Sequence, residues 1–284
     1  TMAFSKDKVI AAQAPGRNRE LPTQSLQFIS QGIWQYYFNT GDIETLEFAY
    51  PYVHDYLTLW PMIASGMSQH RRGDWNWGDW GTQVDRIPLQ VAWYYMALLT
   101  ARDMAIELGK EDKISWYDNR INRIKSNFDT RFWKNGYYSN GSFKDDRANA
   151  LAILSGLAPA SKYESILNNV LIPVRNASPH IEWMVQEAMI KAGALDESLT
   201  RMKERYAPQV NDTSLTTLIE SFEPLSYLGS YDHAWNAPNT IISKYLVGIS
   251  PLTVAWSSYQ VLPKMPNIKY LKQIVPSVKG TITV

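Results

Sequence analysis

The chain has 284 residues, enough to bury a large core, and its 28 basic against 27 acidic side chains leave a net charge of +1. With those charges scattered and no block of one sign, neither nucleic acid nor an anionic membrane is an expected partner. Cysteine is absent, which excludes disulfides and thiolate metal sites, and no apolar run nears the roughly 20 residues of a membrane span. The cellular address is unreadable.

The first helix opens at Glu20-Leu21-Pro22, with Leu26, Ile29, Ile33 and Tyr36/Tyr37 at steps of three and four on one face. Gly41 suits a left-handed cap, and Asp42 starts a second helix striped by Leu46, Tyr50, Val53, Leu57 and Trp60. So short a turn makes the two an antiparallel hairpin. A long aperiodic stretch from Ser65 to Asp85 follows, centred on Gly73-Asp74-Trp75-Asn76-Trp77-Gly78-Asp79-Trp80-Gly81. Indole rings offer flat apolar faces with a polar edge, which suits sugars. The plain alternative is an aromatic plug over the end of a helical bundle.

A second hairpin uses Val91, Tyr94/Tyr95, Leu98, Ala101 and Leu108, stops at Gly109, and returns on Ile114, Tyr117, Ile121, Ile124 and Phe128. Turn signals at Asn135-Gly136 and Asn140-Gly141 predict a short β-hairpin. Asp145-Asp146-Arg147-Ala148-Asn149 then opens a helix, where paired acids complement the helix dipole unless they line a pocket. A return helix spans Pro159 to Leu171, another starts at Ser178-Pro179-His180-Ile181-Glu182-Trp183, and Asp196 caps the next, which ends near Pro208. Residues 235–248 form the last long helix. From Thr253 the pattern alternates at period two, and Lys269 to Val284 reads as strand with a turn at Lys279-Gly280. Pairing gives about ten helices, or five hairpins.

Between the last helices lies Thr216-Thr217-Leu218-Ile219-Glu220, then Ser230-Tyr231-Asp232-His233-Ala234-Trp235, then Leu246-Val247-Gly248-Ile249-Ser250-Pro251. These segments resemble the C-terminal signature of bacterial α-L-rhamnosidases: T-T-L-W-E, S-x-N-H-A, and a leucine-rich helix ending in G-I-x-P. Ile219 stands where that family has Trp, and Asp232 where it has Asn. The resemblance implies a mainly α fold, an (α/α)6 toroid of helical hairpins lacking its first hairpin. Residues 1–250 would form the glycosidase-like toroid and 251–284 the start of a C-terminal β-sandwich-like region. It implies a glycoside hydrolase removing terminal α-L-rhamnose from glycans or glycosides with inversion, and needing no metal or organic cofactor.

By the same resemblance Glu220 is the general base, with His233 contacting the sugar and Trp235 shaping the pocket. Asp79 and Trp80 of the G-D-W element would touch substrate, with Trp77 and Asp74 beside them. Asp146 and Arg147 match a D-D-R-A-N-A-L element and Glu182 an S-P-x-x-E element, all expected on the substrate side. The family's general acid lies in a D-x-x-x-R-D-E/R-x-x-W-x-G-D element, of which Arg17-Asn18-Arg19-Glu20 is the nearest and a poor copy. That acid is therefore expected in an N-terminal segment missing from this chain, or else lost. Two rivals stand beside this reading. One is a helical-toroid polysaccharide lyase working through Tyr231 and His233; the other is a sugar-binding domain without catalysis.

Overall fold

A computed structural model describes residues 7–11, 21–71, 75–141, 143–222, 237–266 and 268–284. Helix α1 (Pro22–Gln27) begins with proline, whose missing N–H would be unpaired there in any case. It continues unbroken through a π-helical stretch, Phe28–Trp34, into α2 (Gln35–Thr40). Leu26, Ile29, Ile33 and Tyr37 are buried as the periodicity predicts, whereas Tyr36 faces outward. Gly41 takes the left-handed cap at φ 76°. Asp42 then accepts a hydrogen bond from the Thr45 N–H at 3.0 Å and starts α3 (Ile43–Thr58).

The hairpin theme repeats. Helices α4 (Arg86–Glu107) and α5 (Glu111–Phe132) turn back on each other at Gly109, φ 63°. Strands β1 (Trp133–Lys134) and β2 (Tyr137–Tyr138) pair antiparallel across Asn135-Gly136, whose φ values of 53° and 87° mark a two-residue hairpin turn. Next come α6 (Asp146–Leu154), then α7 (Tyr163–Ile166), which passes into a π-helical turn Leu167–Leu171. Helices α8 (Pro179–Lys191) and α9 (Leu195–Val210) form a further hairpin at Gly193. Asp196 lies in the first turn of α9 rather than capping it, and that helix runs through Pro208 to Val210. Helix α10 (Ala237–Ile241) leads into a last π-helical stretch, Ile242–Leu246.

Burial sorts these helices into two layers. Eight of the nine residues of α6 and 11 of the 13 of α8 are buried, against five of the 22 in α5 and five of the 16 in α9. A helix buried all round belongs to an inner layer, and one with a single apolar stripe to an outer layer. Packing runs from α1 to α4, α6, α8 and α10 around the inner arc, while α3, α5 and α9 back it from outside. Among the described residues the inner layer therefore has five helices where a twelve-helix toroid has six. The two ends of the arc, helix 22–40 and helix 237–246, line a cleft of about 1380 Å³ whose walls include Gln27, Gln31, Trp183, Glu187 and Lys244.

Strands β3 (Ile249–Pro251) and β4 (Tyr259–Val261) pair antiparallel, as do β5 (Ile274–Ser277) and β6 (Gly280–Thr283). Gly248 precedes this region at φ 70°, and any Cβ there would sit 2.0 Å from the Leu262 carbonyl oxygen, so only glycine fits. The expected strand from Thr253 is corrected by the structure: Val254–Trp256 is a 3-10 turn with Ala255 and Trp256 at positive φ. Trp256 donates its indole N–H to Asn39 Oδ1 at 3.0 Å, so docking on the helices overrides the period-two pattern. No helix among the described residues is long and apolar enough to cross a membrane.

Candidate active site

Two segments 140 residues apart converge on one carboxylate. Trp80, in the loop before α4, donates its indole N–H to Glu220 Oε1 at 2.8 Å. Glu220 is half-buried and follows the buried Ile219. Three indoles crowd the loop: the Trp77 and Trp80 ring centroids are 5.5 Å apart at 71°, and those of Trp75 and Trp80 are 6.1 Å apart. Trp77 also packs on His180 at 5.2 Å. Trp77 is 3% exposed, its carbonyl accepting from Thr23 Oγ1 at 2.5 Å, whereas Trp75 is 49% exposed. Buried Trp77 thus anchors the loop, and Trp75 and Trp80 present its open faces. The structure brings together Glu220, Trp80 and Trp77, as the sequence led one to expect, and adds Trp75 and His180. Asp74, His233 and Trp235 lie outside the described residues.

Four other expected contacts are corrected. The side chains of Asp79, Asp146, Arg147 and Glu182 have no solvent exposure. Asp79 accepts from Ser178 Oγ at 2.5 Å through Oδ1, and from the Ser178 N–H and Arg147 Nη1 at 2.9 and 3.2 Å through Oδ2. With both oxygens engaged, it cannot reach sugar hydroxyls or hold a water for the reaction. Arg147 also donates from Nε to Asp145 Oδ1 at 2.7 Å, and from Nη1 and Nη2 to the carbonyls of Trp80 and Gln83 at 3.1 and 2.5 Å. Its guanidinium is a bolt through the back of the Trp loop. Arg201, on α9, binds Glu182 from Nε at 2.7 Å and spans Asp146 Oδ2 and Glu182 Oε2 from Nη2 at 2.6 and 2.8 Å. Its Nη1 donates to the Leu171 and Val174 carbonyls at 2.9 and 2.7 Å. Charged groups taken out of water need pairing of this kind.

The network holds more acid than base. Asp79, Asp145, Asp146 and Glu182 face Arg147, Arg201 and Arg205. Burial raises the Asp79 carboxyl above its ordinary range, with Arg147 and Ser178 pulling the other way. Burial likewise pushes Asp145 up to about 6, opposed by Arg147 and reinforced by Asp146. For Arg147 burial acts downward, but Asp145, Asp79 and Asp146 outweigh it and hold the guanidinium above its usual value. Arg201 and Gln209 went unnoticed in the sequence. Arg201 reads as an outward charge on α9, because its acids are 19 and 55 residues away and leave no local pattern.

Comparison with known proteins agrees with this architecture. The sequence model of the bacterial alpha-L-rhamnosidase 6 hairpin glycosidase domain matches residues 23–208. No curated protein sequence matches the chain. Among solved structures, the GH78 family rhamnosidase of Bacillus sp. GL1 superposes with a TM-score of 0.85 at 19% identity, covering 99% of this chain and 32% of that one. The alpha-L-rhamnosidase from Dictyoglumus thermophilum gives 0.84 at 20% identity, covering 98% of this chain and 34% of that one. The Streptomyces avermitilis alpha-L-rhamnosidase complexed with L-rhamnose gives 0.71 at 18% identity, over 90% of this chain and 26% of the other. The chain thus spans about a third or less of the length of these structures, and at such identities the likeness shows the fold. The family match covers well over half of the residues, from the first helix through the helix that carries Arg201: this chain belongs to the bacterial α-L-rhamnosidase six-hairpin glycosidase domain family.

Proposed function

We propose that this chain carries the base side of a rhamnosidase active site, with Glu220 deprotonating the water that attacks the anomeric carbon. The observation that carries the reading is the Trp80 N–H bond to Glu220 Oε1, which ties the candidate base to the indole loop. Inversion at a glycosidic carbon needs a base on one side and a protonated acid on the other, roughly 6.5–9.5 Å apart to admit the water. Trp80 and Trp75 supply apolar faces for the C–H surface of a deoxy sugar. L-rhamnose as the sugar is supported by family membership and by the rhamnose complex of the Streptomyces avermitilis relative.

The second carboxyl belongs, on this reading, to a sixth hairpin that a twelve-helix toroid includes and the described residues do not. The cleft between helix 22–40 and helix 237–246 is where the inner helix of that hairpin would sit. A helix placed there would close the inner ring and bring its loop to the pocket. The same reading treats residues 1–250 as the toroid and 251–284 as the edge of a β-region docked on it.

The test is hydrolysis of an aryl α-L-rhamnoside by the intact polypeptide and by its Glu220→Gln variant. The expected result is a loss of about 10²–10⁴-fold in kcat with the fold retained. Unchanged turnover would remove Glu220 from the mechanism. An intact protein that binds rhamnose and cleaves nothing would make it a binding domain.

A further inference from the structure

Immediately behind Glu220 stands a side chain with no role so far. Gln209 lies in the last turn of α9 and is 7% exposed. Its Oε1 accepts from the Ile219 N–H at 3.0 Å, and its Nε2 donates to the Ser221 carbonyl at 2.9 Å. One carboxamide therefore grips the main chain on both sides of residue 220. The donor–acceptor pair copies what a neighbouring antiparallel strand would offer to the two flanking residues. Helix α9 reinforces the grip one step further on, where the Arg205 guanidinium sits 4.0 Å over the Phe222 ring and Tyr206 packs against that ring at 5.0 Å.

We infer that Gln209 is a positioning residue for Glu220, fixing its backbone from α9 while Trp80 fixes its carboxylate from the opposite loop. This rests on Glu220 being the base. The geometry explains why glutamine is needed. Asparagine carries the same carboxamide one methylene closer to α9 and would not reach the segment, and glutamate would face the Ser221 carbonyl with an acceptor where a donor is required. A base must be held within hydrogen-bond reach of the water it deprotonates, and small displacements of such a group are costly in rate. Packing of Leu218 and Phe222 against Ile190, Met202, Tyr206 and Ile241 keeps the segment attached to α9 even without the glutamine. Loss of Gln209 should thus loosen residue 220 without detaching it.

The experiment uses the intact polypeptide and an aryl α-L-rhamnoside, with Gln209→Ala and the isosteric Gln209→Glu each made in the wild-type and Glu220→Gln backgrounds. In the wild-type background kcat is expected to fall about 10- to 100-fold for both variants, with KM within about twofold, since a positioning defect acts on the chemical step. In the Glu220→Gln background neither variant should lower the residual rate further, because residues acting through one group are not additive. Equal losses in both backgrounds would mean that Gln209 serves the fold as a whole, and unchanged kcat would mean that it does nothing for the base; either overturns the inference. Should Gln209→Ala fail to fold, Gln209→Glu, which keeps the volume, decides alone. Full activity of Glu220→Gln would instead sink the base assignment, an outcome separate from any result at Gln209.

Discussion

Two sets of acids among the described residues sit in different surroundings. Asp79, Asp145, Asp146 and Glu182 are sealed from solvent against guanidinium groups, their oxygens turned to Arg147, Arg201 and backbone N–H groups. Glu220 is half-buried and held by a neutral indole N–H, with its backbone clamped by a neutral carboxamide. A carboxylate paired with a buried guanidinium has given up much of its freedom to exchange protons with a substrate. In this fold the concentrated charge serves as scaffolding, while the candidate base meets an indole N–H from the loop that the charge network anchors.

The comparison can be broken hardest at Arg201. Replacing it with methionine keeps the volume of the stem but leaves Asp146 with the Ala177 N–H and Glu182 with Arg205 and Gln186, and removing one partner of a buried ion pair costs about 3–5 kcal/mol. The expected result is that loss in denaturant unfolding of the Arg201→Met variant. A loss below about 1 kcal/mol would mean that water or a shifted side chain replaces the guanidinium, and the sealed network would not be the scaffold described.

A gentler probe uses pH. The Asp145 carboxyl is pushed up to about 6 in the folded chain, against about 3.9 when unfolded. A raised acid favours folding while protonated, so its contribution is complete below about pH 4 and is lost as pH rises through 6. Asparagine cannot titrate. The stability advantage of wild type over Asp145→Asn should therefore shrink between about pH 4 and 6, by at most about 3 kcal/mol, and then stay level. A constant advantage across that window would show that Arg147 keeps Asp145 ionised throughout.

How much of this was legible beforehand depends on distance along the chain. The first hairpin follows from the spacing of Leu26, Ile29 and Ile33 and the Gly41-Asp42 junction, all settled within a few residues. The Asn135-Gly136 turn is local in the same way. The meeting of Trp80 and Glu220 was accessible only through family resemblance, since no periodicity links positions 140 residues apart. Asp146, Arg147 and Glu182 were misplaced for a physical reason: charged side chains are expected at water, and nothing adjacent announces the guanidinium that lets them be buried. Gln209 was invisible because its partners are main-chain atoms, which any sequence supplies.

The finest test separates the two ways Trp80 can serve the pocket. Its ring offers an apolar face, and its N–H binds the candidate base at 2.8 Å. Trp80→Phe retains an aromatic face and removes the donor. Loss of a hydrogen bond to a charged group is worth about 1.5–3 kcal/mol, and part of that is recovered if water takes the place of the indole. If the N–H orients Glu220, kcat on an aryl α-L-rhamnoside should fall about tenfold while KM changes little, because the defect appears only in the reacting complex. A rise in KM at constant kcat would instead make Trp80 a wall of the sugar site and nothing more. In that case the positioning of residue 220 would rest on the Gln209 bonds to the flanking main chain rather than on the Trp80 contact with its carboxylate.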